Sequence, residues 1–544
     1  MKYFTARIAL ILALFSHASD LNADTPNGCT ADYIIVGGGT AGCVLAKLLQ
    51  EIGTVLVCED GKNQDTNPFI TDPTLNGNLV LDATNLLFAP LGHATVQATP
   101  DNKRFPAVVG ETLGGGSSVN GLQAVRGAPS TFVEWEAISG DSDWGPANDF
   151  AQYIAMETFN GVPGQFNPAA HGTSGPIDIR QAAKNVQAAT QFSNALVALG
   201  YPFSPDYNDP ATPVGSFLYW QLFEQPDGSR ESSSTAYLEE TLNQLSTDVY
   251  VSDNNRMILY TAAHVTKVLF SQKTGALPKA VGVQAIVNGQ QQVFFARRKV
   301  ILAAGFQTPL LLQLSGIGDA TLLNNLQIPV IFDNANVGQH MLNHPIIVLT
   351  GTGTVPFPVN PDPNGLYDGG AQLPDPSVMS PDRAFELIGI ATPPTAFTIA
   401  TLILGAQSEG TINLLYSDPL RMPEYAFNYF MNAADLTSTE AAYGIMYNTL
   451  VQMGLTPLGP NPANTVAVEA YIFANYSQAY HWTGSCRMAQ SAATGVVDST
   501  GHVYGVQDLI VADITIIPVN PSGNTADPAF LVGNVIANKL IAAA

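Results

Sequence analysis

The sequence predicts an α/β fold, α+β overall: a parallel sheet flanked by helices and interrupted by an inserted sheet-and-helix domain. Three observations predict it. A strand, a glycine-rich turn, a helix and a second strand follow one another near the N-terminus. Two later apolar runs, at residues 298–305 and 508–513, each read as a buried strand running into a turn or an acid. The chain of 544 residues is too long for one small core and suits two units.

The first unit opens on Asp32-Tyr33-Ile34-Ile35-Val36-Gly37-Gly38-Gly39-Thr40-Ala41-Gly42-Cys43. Ile34, Ile35 and Val36 form a buried strand. Gly37 makes the tight turn, Gly39 lets the backbone approach a pyrophosphate, and Gly42 lets the helix pack closely on the strand. The helix over residues 40–50 aims its positive N-terminus at the phosphates. Thr54-Val55-Leu56-Val57-Cys58 forms the next strand, and Glu59 ends it. At that place a carboxylate accepts both ribose hydroxyls of an adenosine.

A Pro/Asn-rich stretch follows near residues 63–78, then a glycine-serine cluster at 110–120. Residues 131–229, aromatic and polar with scattered prolines, read as an insertion. Alternation returns at 257–269 and 291–302. Residues 355–385 are rich in Pro, Asp and Gly and read as loop. Residues 531–542 read as a closing helix. The nucleotide-binding unit is therefore expected in three pieces, 30–130, 230–328 and 476–544. The second unit is expected at 131–229 and 329–475.

Residues 1–18 read as a cleavable signal peptide, with Lys2 and Arg7, a short apolar core and Ser16-His17-Ala18, so a secreted or periplasmic protein is expected. No later stretch is long and apolar enough for membrane insertion. The net charge of −23 argues against nucleic acid or an anionic membrane as partner. Cys43 and Cys58 read as small buried side chains, and the four cysteines show no metal or disulfide pattern, so no metal is expected.

The ordered motifs resemble the glucose–methanol–choline (GMC) oxidoreductase family of FAD enzymes. Gly110-Glu111-Thr112-Leu113-Gly114-Gly115-Gly116-Ser117-Ser118-Val119-Asn120 is similar to its first signature. Val125-Arg126-Gly127, Trp135, Trp144 and Glu157 follow at family-like spacings. Thr308-Pro309 with Ser315-Gly316-Ile317-Gly318 resembles the second signature, and Leu342-Asn343-His344-Pro345 the segment leading into the substrate domain. His481-Trp482-Thr483-Gly484-Ser485-Cys486-Arg487-Met488 is similar to the catalytic region.

The resemblance implies a Rossmann-like FAD-binding domain with an inserted substrate domain. It implies FAD contacts from Gly37, Gly39, Thr40, Ala41, Gly42, Glu59 and Asp60. It implies further contacts from Thr112, Gly115, Gly116, Ser117, Asn120, Gly121, Leu122 and Gln123, with Ser117 and Ser118 offering hydroxyl donors. Val265, Trp482, Ala512, Asp513, Asn524 and Thr525 complete the expected set. Val119 stands where some members tether FAD through a histidine, so non-covalent FAD is expected. Glu111, Phe306 and a short turn at 304–309 depart from the family pattern and touch cofactor packing.

The resemblance implies oxidation of the CH–OH group of an alcohol or sugar-like substrate. His481 is the expected general base, since a near-neutral base eases loss of hydride from the carbon. Asn524, six residues past Pro518, is expected to orient the substrate oxygen. This His/Asn pair resembles the cellobiose dehydrogenase and choline oxidase branches. Oxygen or a quinone-like molecule is the expected electron acceptor. The rival readings are a mandelonitrile lyase-like enzyme, whose paired histidines Asn524 argues against, and a non-catalytic flavoprotein. Of the other histidines, His264 and His502 read as surface or structural residues and His340 and His344 as packing. No role is assigned to His93 or His171.

Overall fold

The computed structural model describes residues 29–75, 88–91, 93–94, 103, 105–354, 356–357, 366–377, 382–392 and 394–544. The signal-peptide segment 1–18 lies outside the described residues. The elements that build the site are, in chain order, β1 (Thr30–Val36), α1 (Thr40–Leu49), β2 (Val55–Cys58), β3 (Met257–Tyr260), β4 (Ala263–Ser271), β5 (Lys279–Val287) and β6 (Gln290–Leu302). They continue with β7 (Pro345–Thr352), β8 (Gly370–Leu373), β9 (Phe385–Thr392), β10 (Ala396–Ile403), α2 (Ala433–Gln452), β11 (Leu509–Val511) and α3 (Ala526–Ala542).

β3, β2, β1 and β6 lie side by side and parallel, with Ile34 between Leu56 and Val300. The end of β6 also pairs in parallel with β11, Leu302 against Val511. Helices cover the sheet, so β1 is apolar on both faces; Ile34 and Ile35 are fully buried. α3 packs on α1 at Gly533, where a Cβ would stand 2.8 Å from the Ala41 carbonyl oxygen. α3 starts five residues before the expected helix. Pro528 is no obstacle there, because a first-turn N–H has no intrahelical partner to lose.

Within the segment read as insertion, helices Pro129–Ser139 and Pro146–Met156 bury Phe132, Trp135 and Phe150 in the same core as β1. Trp135 Nε1 donates to the Val519 carbonyl at 2.9 Å, and Trp144 Nε1 to that of Ser499 at 2.8 Å.

The second unit is an antiparallel sheet in which β7, β10, β9 and β8 are successive neighbours. α2 covers one face, where Ile347, Leu349 and Ile399 meet Tyr443, Met446 and Leu450. The opposite face turns Ile346, Ile388 and Leu402 to a cavity shared with the first unit. β8 corrects the reading of 355–385 as loop. Its four buried residues pair with β9 on one side and Gly215–Phe217 on the other. A four-residue strand between Pro- and Asp-rich flanks is too short to show a period. No helix among the described residues is long and apolar enough to cross a membrane.

Many buried carboxyls give the fold a pH dependence. Burial pushes Asp65 and Asp368 up to about 6, Glu59, Glu386 and Asp527 to about 7, and Asp149 and Glu231 to about 8. Unfolded carboxyls titrate near 4, so these seven groups bind extra protons in the folded chain between pH 4 and 8 and outweigh buried His344 and His481, which oppose them by staying neutral where free imidazoles are protonated. Stability therefore falls as pH rises through that window. In fixed-rate thermal scans the unfolding midpoint should be several degrees higher at pH 5 than at pH 8.5. A higher midpoint at pH 8.5 would contradict this.

Candidate active site

The glycine turn after β1 is built by close backbone contacts. Gly37 has φ +100°, and a Cβ there would stand 2.5 Å from the Ala303 carbonyl oxygen. A Cβ at Gly42 would stand 2.0 Å from the Gly37 oxygen. Gly39 differs: its φ is −78°, and the nearest atom to its Cβ position is 3.9 Å away. No side chain caps the N-terminus of α1, whose first residues Thr40 and Ala41 line the cavity. First-turn N–H groups there are open to an anion.

Glu59 is buried at the end of β2. Its Oε2 accepts from Gly38 N at 2.7 Å and its Oε1 from Gly61 N at 2.8 Å. Asp60 follows it on the cavity wall and pairs with His264 Nδ1 at 2.7 Å. His264, read as structural, thus sits on the cavity beside Val265.

Gly115, Gly116 and Ser117 line the same cavity, and nothing lies within 4 Å of a Cβ built on Gly116. The serine hydroxyls correct their expected role as outward donors. Ser117 Oγ donates to the Gly114 carbonyl at 2.6 Å and Ser118 Oγ to that of Leu113 at 2.8 Å, so both brace the loop. Asn120, Gly121 and Gln123 continue the wall. Buried Arg230 grips Asn120, with Nη1 2.7 Å from its Oδ1 and Nη2 2.9 Å from its carbonyl.

Four expected cofactor residues do not reach the cavity. Gly42 lies under the turn. Thr112 is buried and donates to the Lys62 carbonyl at 2.9 Å. Leu122 is packed with Val125 and Leu222, and Ala512 N donates to Leu302 in the sheet. In each case the motif's neighbours face the cavity while this residue supports them.

The chemistry-bearing end gathers His481, Trp482, Asp513, Asn524 and Thr525 on the same cavity, of about 440 Å³. Asp513 accepts from Gly305 N at 2.9 Å and Thr308 Oγ1 at 2.6 Å, tying the end of β11 to the turn after β6. Phe306 packs on Trp482 with ring centroids 4.6 Å apart.

His481 Nδ1 lies 2.9 Å from His344 Nδ1, and its backbone N–H donates to Asn343 Oδ1 at 2.8 Å. Burial holds His481 down to about 3 and His344 well below the usual imidazole range. This corrects the near-neutral base expected from histidine's ordinary pKa: the ring sits against another neutral imidazole with no carboxylate partner. His481 is neutral at working pH. One proton bridges the two Nδ1 atoms. When His481 donates it, Nε2 carries the free lone pair.

Asn524 is held from behind. With its amide nitrogen turned to Glu386, it lies 3.0 Å from both carboxylate oxygens. Gln372 Nε2 donates to Glu386 Oε2 at 2.8 Å, and burial pushes Glu386 up to about 7. His344, Glu386 and Gln372 were missed by sequence reasoning. His344 was read as packing, and no local pattern marks Glu386 or Gln372.

These residues fit a dinucleotide cofactor: clear Cβ space at Gly39 and Gly116, an uncapped helix start, and an acid closing β2. Family models for GMC oxidoreductase match residues 31–346 and 406–533. An oxygen-dependent choline dehydrogenase of Staphylococcus xylosus is 26% identical, covering 92% of this chain and 93% of that protein. Pyridoxine 4-oxidase from Mesorbium loti has the same fold, with TM-score 0.82 at 21% identity, covering 94% of this chain and 99% of its own. So does an Aspergillus oryzae RIB40 formate oxidase studied for FAD modification, with TM-score 0.80 at 23% identity over 95% and 99%. The chain belongs to the GMC oxidoreductase family. It is an FAD-dependent alcohol oxidoreductase.

Proposed function

We propose that His481 takes the hydroxyl proton of an alcohol at Nε2 while Asn524 orients the hydroxyl oxygen. The observation that supports this is that both side chains open into the cavity that begins at the glycine turn. FAD, held by the residues of that turn, would supply a two-electron hydride acceptor. Burial keeps His481 unprotonated, so its lone pair is available across the working pH range. His344 holds the ring and its tautomer. Glu386 takes one N–H of Asn524, leaving the other for the substrate oxygen. Oxygen or a quinone-like molecule would be the final electron acceptor. The oxygen-dependent relatives favour oxygen.

Anaerobic mixing with an alcohol substrate should bleach the flavin, and admitting air should restore the colour. Cyanohydrin cleavage with no bleaching by any alcohol would overturn the reading.

FAD is held without a covalent bond in this reading, because Val119 offers no nucleophilic nitrogen on the cavity wall. Acid precipitation should leave the flavin in the supernatant. Flavin remaining with the pellet after washing would reject non-covalent attachment.

A further inference from the structure

We propose that this site takes an uncharged alcohol with an apolar body, aliphatic or benzylic, rather than a quaternary ammonium alcohol, a sugar or a hydroxy acid. The proposal rests on His481 and Asn524 being the chemical pair.

The sheet register places the wall between them. Ala479 N donates to the His344 carbonyl at 3.0 Å, which sets the His481 segment beside β7. On β7, Ile346 pairs with Leu402 of β10, and Leu402 pairs with Glu386 of β9. Glu386 reaches Asn524. Ile388 is two residues beyond Glu386 and shares its face. Ile346, Leu402, Ile388 and Ala479 all line the cavity. A line from His481 to Asn524 therefore crosses aliphatic side chains.

Charge is absent from this wall. Among the described residues, no Lys or Arg lines the cavity, so a substrate carboxylate finds no counter-charge. Of the four acids that line the cavity, Glu59 and Asp60 stand at the end of β2 with Glu111 beside Asp60 and His264, and Asp513 is engaged by Gly305 and Thr308. Glu386, the acid nearest Asn524, is fully buried against Gln372 and Asn524 and does not line the cavity. Among the described residues, an ammonium group finds no free carboxylate beside His481 and Asn524.

Among the described residues, the rings around Trp482 face one another rather than a shared open centre. Trp482 has Phe306 at 4.6 Å, Tyr480 at 5.7 Å and Phe427 stacked at 6.0 Å, so the rings pack on one another. A sugar would lose water from several hydroxyls against Ile346, Ile388 and Leu402 without regaining hydrogen bonds. An alkyl or phenyl group gains from the same contact.

The test uses purified holoenzyme without oxygen, mixed with hexan-1-ol, benzyl alcohol, choline, glucose or lactate. Hexan-1-ol and benzyl alcohol should bleach the flavin fastest. Along a series from ethanol to hexan-1-ol, kcat/KM should rise about fourfold per methylene, the factor expected for its burial. Choline, glucose or lactate outpacing hexan-1-ol would overturn the substrate class and leave alcohol oxidation standing.

A binding arm is independent of turnover. 2-Phenyl-2-propanol has no carbinol hydrogen to transfer, yet it should shift the flavin absorption spectrum, while glycine betaine should not. The reverse pattern would overturn the proposal, even if no alcohol bleached the flavin and the chemical reading failed. Ile388→Asn should lower the hexan-1-ol to ethanol ratio of kcat/KM about tenfold, with FAD per chain unchanged. An unchanged ratio in a yellow, folded variant would count against the wall.

Discussion

Replacing His481 with alanine is expected to slow flavin reduction by about a hundredfold or more, the usual scale for loss of a general base. FAD content should stay near that of the parent chain. The glycine turn, Glu59 and the Gly115–Gly116 loop line the cavity, and the His481 ring is held by His344 instead. Raising the pH should partly rescue the variant, because free alkoxide becomes less rare. Titration of His481 itself cannot mimic the mutation between pH 5 and 8, since burial holds the ring down to about 3. Asn524→Ala should cost less, because the base remains and only a positioning bond is lost. Stopped-flow reduction with a good alcohol substrate measures both. His481→Ala reducing flavin as fast as the parent would remove His481 from the chemistry, with fold and cofactor untouched.

Gly39→Val and Gly42→Val, three residues apart, are expected to fail in opposite ways. Gly39 already has φ −78°, which valine adopts, and its Cβ position is clear to 3.9 Å. Gly39→Val should fold and unfold like the parent chain, yet bind FAD about tenfold or more weakly, because the added side chain stands in the cofactor's space. Gly42→Val would drive a Cβ to 2.0 Å from the Gly37 carbonyl oxygen, with no flexible side chain to yield. It should give little soluble folded protein. Circular dichroism separates the two from the flavin absorbance. A fully yellow Gly39→Val would place the cofactor elsewhere.

The β1–α1–β2 unit was legible because each of its constraints is local. The apolar run, the glycines and the closing acid are set by sterics within about thirty residues. The same holds for the buried strand β11 and for Cys43 and Cys58, whose surroundings follow from the elements that carry them. Which way a motif residue points was less legible. Thr112, Ser118, Leu122 and Ala512 sit in recognisable segments, but each turns inward to satisfy a backbone partner or fill the core. A linear motif does not record that alternation when the chain is a loop without a period.

The nucleotide-binding unit, the family and the segments that carry His481 and Asn524 are readable in the order of residues alone. What stands behind those two side chains depends on how the two sheets come together. His344 meets His481 across 137 positions of chain, and Glu386 meets Asn524 from a strand of the other unit. Such contacts arise when two sheets close on one cavity, and no local propensity encodes them. Burial then sets the protonation of His481 and Glu386, through loss of water that no residue type reveals on its own. The aliphatic wall of Ile346, Ile388 and Leu402 has the same origin: three separate strands become one surface only through their register.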